Sequence, residues 1–201
     1  LEKLQPHLFY CRCSRRQLRD LGRYPGTCRH QTTFVENSAI RIKMGDGEQN
    51  FNDGFLGPLR TDLATQLGDF IVRRKDGLIA YNLATAIDDG SGITHVLRGQ
   101  DLLPVTAPQR YLMTLLNLQP PEYAHIPCLE FEDGSKLSKQ THAPALNDET
   151  AANNLIAALW YLGLKIPETA DTVPVILKWA VEHFNLADIP KSLPKYRSSE
   201  V

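Results

Sequence analysis

Two lysines, Lys136 and Lys139, stand three residues apart in the stretch KLSKQTHAPAL (136–146), with Ser138 between them and Gln140 following. Two cations so close, placed just after an apolar run and a turn, raise the question of a ligand that would use them. A solvated surface pair is the competing reading. A second cluster lies near the start: Cys11, Cys13 and Cys28 fall within eighteen residues, and Cys128 stands apart. Thiolates at short spacing suit tetrahedral zinc. Tyr24 and His30 compete for the fourth position, and general chemistry favours the imidazole, since phenolate is a rare zinc ligand. Packing of the thiols as small hydrophobes is the alternative, and Cys128 is read that way, as a core residue.

The elements that must position these groups follow from periodicity and punctuation. Residues 14–22 read as a short helix, capped by Ser14 and ended by Gly22. SAIRIKM (38–44) alternates as a strand, and 45–59, dense in Gly, Asn and Asp, reads as loop. Residues 69–89 read as two strands joined at Lys75-Asp76-Gly77. Residues 93–99 form a further strand, 105–118 a helix, and HIPCLEF (125–131) a strand closed by an Asp133-Gly134 turn. Two helices are expected over 149–164 and 172–184. In the second, Val173, Ile176, Leu177, Ala180 and Phe184 mark a core face.

The order is a cysteine-bearing start, a strand-rich middle with one crossover helix, and a helical tail: an α/β chain. Strand 93–99, helix 105–118 and strand 125–131 form a βαβ unit, which implies a right-handed crossover between parallel strands. Ligands in such sheets sit beyond the carboxyl ends of the strands, where the lysine stretch falls. Arg98 offers a fork suited to a carboxylate, and Tyr81 a hydroxyl on an apolar body. By themselves these two read as an ion pair with Asp101 and a strand aromatic in the core. Asp88 and Asp89 read as a strand terminus. Adjacent strand carboxylates face opposite ways and do not share an ion.

With 42% hydrophobic and 22% charged residues and a net charge of −1 over 201 residues, the composition is that of an ordinary globular chain. It argues against a broad polyanion-binding surface, yet Arg12, Arg15, Arg16, Arg19 and Arg23 leave room for a local nucleic-acid patch. No apolar run reaches membrane-spanning length. The start, LEKLQPHLFYCRC, lacks the layout of a signal peptide. Reduced cysteines and a cytoplasmic location are therefore expected.

Three stretches in order, GQDLLPVTAPQRYL, HIPCLEF and GSKLSKQTHAPAL, resemble the second half of the class I glutamyl-tRNA synthetase catalytic core. KLSKQ resembles the K-M-S-K-S signature, with Leu137 for Met and Gln140 for the last Ser. CRCSRRQLRDLGRYPGTCR is similar to the zinc-bearing acceptor-stem insert of that group, placing Cys11, Cys13, Tyr24 and Cys28 on the ligand positions. Here the resemblance prefers Tyr24 to His30. Gln140 with THAPAL, and the 61 residues after Gln140, resemble the glutamyl-Q tRNA(Asp) synthetase branch. The likeness covers about residues 8–190.

The resemblance implies a Rossmann-type half-core with one zinc per chain and a helical segment. The expected divisions are 1–66 for the zinc insert, 67–146 for the nucleotide-binding half with the KLSKQ loop, and 147–201 for the tail. It implies activation of glutamate by ATP with Mg2+ and transfer to queuosine in the anticodon of tRNA(Asp), by a monomer. Lys139 is then the ATP-contacting lysine, Lys136 its support, and Tyr81 and Arg98 glutamate contacts. The family's H-I-G-H-bearing first half has no counterpart, so the chain alone is expected to be inactive. Two other readings remain: a non-catalytic, zinc-containing tRNA-binding module, and a fragment of an ordinary glutamyl-tRNA synthetase. Gln140 and the short tail count against the last.

Overall fold

The computed structural model describes residues 1–45 and 48–196. In chain order its elements are β1 (Leu8–Cys11), α1 (Arg15–Leu18), β2 (Ala39–Ile42), β3 (Glu48–Asp53), β4 (Gly57–Asp62), α2 (Leu63–Gln66), β5 (Phe70–Arg73), α3 (Tyr81–Asp89), β6 (His95–Gly99), α4 (Leu103–Leu116), β7 (Glu122–Ile126), α5 (Ala151–Tyr161) and α6 (Val173–His183). They fall into two units, one of Leu1–Leu97 with Leu102–Ala124, the other of Arg98–Asp101 with His125–Val201. None of the helices among the described residues is long and apolar enough to cross a membrane.

Two sheets lie mainly in the first unit, the last two residues of β6 and of β7 being assigned to the second. One is antiparallel, in the order β1-β2-β5, with Phe9 opposite Arg41 and a bulge in β2 between Ile40 and Arg41. The other runs β4-β3-β7-β6, with β3 antiparallel to β4 and parallel to β7 at Asp53 and Tyr123. The core gathers Leu4, Leu8, Ile42, Leu63, Val72, Leu83, Leu112 and Met113, all nearly or fully buried. Burying a side chain such as Leu112 contributes about 1.5–3 kcal/mol. Helix α4 carries Pro104 in its first turn, where no N–H is needed, and ends at Asn117 in the left-handed region (φ 57°).

Three sequence expectations are corrected here. From residue 48 onward the stretch read as loop over 45–59 is a hairpin, β3–β4, over Glu48–Asp62. Its Asn and Asp residues do not prevent pairing, because polar positions alternate outward while Phe51 and Asp53 turn inward. Asp46 and Gly47 lie outside the described residues. The second strand expected within 69–89 is helix α3. The turn at Lys75-Asp76-Gly77 forms, with Gly77 at φ 87°, but the returning chain makes one bridge, Arg73 to Ile79, and then coils. Leu83 and Ala86, three apart, bury one face of a segment rich in alanine. Asp88 and Asp89 therefore close a helix rather than a strand. Strand β7 starts earlier than expected and stops at Ile126, because Pro127 has no N–H for the ladder.

In the second unit a tight antiparallel turn carries residues 129–137. Phe131 N–H donates to Ser135 O, Leu137 N–H donates to Leu129 O, and Gly134 takes φ 83° at the bend. The chain then makes a short 3-10 turn over Lys139–Thr141. Helices α5 and α6 pack together, and α6 buries Ile176 and Ala180. Val173 is half-buried, and two residues of its predicted core face do not go inside: Leu177 is 47% and Phe184 40% exposed. Two helices offer too little partner surface to cover a full stripe. Residues 197–201 of the expected tail lie outside the described residues.

Candidate metal centre and lysine loop

Strand β1 ends at Cys11, which is buried, and the chain turns through Cys13 into α1. Ser14 starts that helix with a capping box: its hydroxyl accepts from Gln17 N–H while the Gln17 side chain accepts from Ser14 N–H. The return through Gly22 and Gly26, both at positive φ, brings Tyr24 and Cys28 back onto Cys11. The sulfurs of Cys11, Cys13 and Cys28 lie within 4.8 Å of one another. Cys13 and Cys28 are 3.7 Å apart and unbonded. That matches the edge of a tetrahedron built on zinc–sulfur bonds, about 3.8 Å. The Tyr24 hydroxyl accepts from Cys28 N–H at 2.8 Å and from the Cys11 thiol at 3.5 Å. Tyr24 thus faces the three thiols, whereas His30 is exposed and outside the thiol group.

The electrostatics of the cluster are uneven. Burial pushes the Cys11 thiol up, but hydrogen bonds from Tyr24 and Arg41 outweigh it and bring the group down to about 7. Burial, and then its two cysteine neighbours, push Cys13 up to about 11. Burial and the same neighbourhood push the Tyr24 phenol well above its ordinary value. Of these two thiols, Cys11 is the readier to ionise and Cys13 the one held protonated. Three sulfurs and one oxygen at this spacing suit zinc, so the donor set fits the metal.

The lysine loop is anchored by a different cluster. Asp101 pairs with Lys136 and accepts from the Cys128 thiol at 3.1 Å. The Lys136 contact holds the Asp101 carboxyl below the usual carboxylate range, and Asp101 in turn raises Lys136. Burial raises the Cys128 thiol. Cys128 is half-buried at this polar contact, and not in the core as the sequence suggested. Gly99 makes room for the cluster: a Cβ there would stand 2.5 Å from Asp101 Oδ1 and 2.6 Å from Cys128 Sγ. The loop is braced from within, since Thr141 Oγ1 donates to Lys136 O at 2.6 Å and accepts from Ser138 N–H at 3.0 Å. Lys139 opens the 3-10 turn, exposed, with no ionic partner among the described residues.

Arg98 meets a histidine of the same unit. Its Nε donates to Nε2 of His125, which is fully buried, at 3.0 Å. Tyr81 is not a core strand residue: it is the first residue of α3 and 55% exposed. Tyr81 belongs to the first unit, and Arg98 with both lysines to the second. Sequence reasoning missed Asp101 as the partner of Lys136, His125 as that of Arg98, and Arg41 beside the thiols. The first pair is 35 positions apart, beyond any local pattern.

The sequence profile of the class I tRNA synthetases (E and Q), catalytic domain, matches residues 13–164. The glutamyl-Q tRNA(Asp) synthetase of Pseudomonas fluorescens is 41% identical over 189 residues, which are 92% of this chain and 63% of that protein. Its counterpart in Serratia proteamaculans is 41% identical over 187 residues, 91% of this chain and 62% of the relative. The one in Pseudomonas aeruginosa is 42% identical over 195 residues, 94% and 67%. The chain thus spans a little under two thirds of the first two relatives. A glutamate-tRNA synthetase crystal structure from Elizabethkingia anophelis superposes with a TM-score of 0.72 at 20% identity, over 99% of this chain and 50% of that one. The fold is shared.

Proposed function

The chain belongs to the class I tRNA synthetases of the glutamyl and glutaminyl type, and from that premise we propose that it serves ATP-dependent activation of glutamate and its transfer to queuosine in the anticodon of tRNA(Asp), in the cytoplasm. The observation that carries the reading is the asymmetry of the two loop lysines. Lys136 is engaged by Asp101, and Lys139 projects free at the tip of a braced turn. Such a loop presents one mobile cation to the charge that develops as pyrophosphate leaves, while the other sets the loop's position. Arg98, with its guanidinium, and Tyr81, with its hydroxyl, are each glutamate contacts in this reading. Mg2+ accompanies the nucleotide.

Cys11, Cys13, Cys28 and Tyr24 are the residues that would hold zinc. There the ion supplies a structural cross-link between β1 and the returning chain, and no step of the reaction. The arginines of α1 and its flanks, exposed and basic, suit RNA phosphates. The choice of tRNA(Asp) over tRNA(Glu) rests on the names of the relatives, together with Gln140 in the loop.

Charging assays on the whole protein test it. Labelled glutamate with ATP is expected to load queuosine-containing tRNA(Asp) and to leave tRNA(Glu) uncharged. Efficient charging of tRNA(Glu) overturns the reading in favour of an ordinary glutamyl-tRNA synthetase. Binding of tRNA without any activation of glutamate would favour the non-catalytic module.

A further inference from the structure

Arg41 sits on β2, the middle strand of the three-stranded sheet, and is buried. A β-bulge re-aims a side chain locally, and the one between Ile40 and Arg41 stands at this position. Nη1 donates to the Asp69 carbonyl at 2.8 Å, and Nε is buried with no hydrogen-bond partner. The Asp69 carboxylate is occupied elsewhere: it accepts from Arg29 Nε at 2.8 Å, from Arg29 Nη2 at 3.0 Å, and from Met44 N–H at 2.8 Å. Among the described residues no carboxylate pairs with Arg41. A buried guanidinium with no carboxylate partner is costly unless another anion lies close by.

The sheet register shows where such an anion can be. Phe9 of β1 lies directly opposite Arg41 of β2, so their side chains share a face. Cys11 is two residues beyond Phe9 and takes the same face. The Tyr24 ring covers that face: the Arg41 guanidinium carbon is 4.0 Å from its centroid, and its hydroxyl meets the Cys11 thiol. The ring presents its π-face to the cation and its oxygen to the sulfurs. Three thiolates exceed the charge of one zinc ion by a single negative charge.

We propose that Arg41 is the buried counter-charge of the Cys11–Cys13–Cys28–Tyr24 metal site, neutralising its excess thiolate charge and clamping Tyr24 so that its hydroxyl stays at the fourth position. This rests on the zinc reading of the cluster. It gives a physical reason for a tyrosine where a histidine would be the commoner ligand, since one ring serves both a cation and a metal. Arg41 is a positioning residue and touches no reacting atom.

The test is zinc affinity of the chain, measured by competition with a chromophoric chelator on wild type, Arg41→Met and Arg41→Lys. Loss of a residue that supports metal ligands from behind typically weakens binding about 10–100-fold. Arg41→Met is expected to fall in that range, and Arg41→Lys to recover part of the loss by restoring the charge without the planar stack. Cobalt loading gives a second readout: the thiolate charge-transfer bands of Arg41→Met should shift as the fourth ligand loosens. Should Arg41→Met lower only the melting temperature of the metal-free protein, with unchanged affinity and cobalt spectrum, Arg41 merely supports the sheet and the proposal is wrong. A wild-type chain that takes up no zinc overturns both this proposal and the zinc reading. Tight zinc in wild type with equal affinity in all three proteins overturns the counter-charge alone.

Discussion

Asp101 grips Lys136 in an ion pair that spans 35 positions of the chain and leaves Lys139, three residues further on, without a carboxylate. The two lysines of one motif are therefore unequal. Removing a preorganised donor to a developing charge typically lowers turnover about 10²–10³-fold. Lys139→Ala is expected to lose that much in glutamate-dependent ATP–pyrophosphate exchange by the whole protein, mostly in kcat. Lys136→Ala should lose less, because its charge is already shared with Asp101. Near-full exchange by Lys139→Ala would mean a solvated surface loop.

The same pair makes a pH prediction. Asp101 titrates lower in the folded chain than in the unfolded one, chiefly through Lys136. Its stabilisation is therefore present above the ordinary carboxylate range and is lost as pH falls through the depressed folded value. Lys136 titrates higher, chiefly through Asp101, so its contribution is present below the ordinary lysine range and is lost as pH rises through the raised value. Between those limits stability from the pair is flat. Both side chains are more than a third exposed, so solvent screens the effect and it is small. Melting temperatures of wild type and Asp101→Asn should differ most near neutral pH and converge in strong acid. A constant gap down to strong acid would show that the pair is not the source.

How much of this was legible in the sequence depended on distance along the chain. The Ser14 cap and the Gly134 bend follow from neighbours a few residues apart and form as read, while helix α4 forms two residues earlier than read, over Leu103–Leu116. The hairpin β3–β4 escaped because Asn, Asp and Gly are turn formers by local preference, and pairing with β7 overrode that preference. Helix α3 escaped because a real turn at Gly77 suggests a second strand, while the helical signal rests on just two buried residues three apart, Leu83 and Ala86. In the candidate sites the thiols stood out by spacing. Their surroundings did not, because Arg41 reaches them through a strand register and Asp101 reaches Lys136 through the fold.

The ligand set yields a prediction of its own. Purified without chelator, the chain is expected to carry about one zinc, and the fourth position should follow Tyr24 rather than His30. The Tyr24 hydroxyl lies against Cys11 and Cys28, while the His30 ring is exposed. Tyr24→Phe should weaken zinc in a chelator competition and His30→Ala should not. The reverse outcome would make histidine the ligand and would require the loop around residue 30 to fold back onto the thiols.

Charge segregation gives the last prediction. Arg12, Arg15, Arg16, Arg19 and Arg23 are exposed and accompanied in that stretch by a single acid, Asp20, although the whole chain carries a net charge of −1. Lys75 adds to the group by donating to Arg12 O at 2.8 Å. Arg15, Arg16 and Arg19 make no ion pair among the described residues, so their charge is open to a polyanion. Each phosphate contact releases condensed counterions, and removing one should flatten the plot of log affinity against log salt by about 1. An RNA stem-loop of anticodon-arm length, titrated against the chain at several salt concentrations, reads this directly. Arg15→Ala, Arg16→Ala and Arg19→Ala are each expected to weaken binding regardless of stem sequence and to reduce the slope in step. Lys178→Ala, on α6 in the second unit, should change neither. Equal slopes in all four variants would mean that RNA is held elsewhere and that the arginines of α1 are an ordinary solvated face.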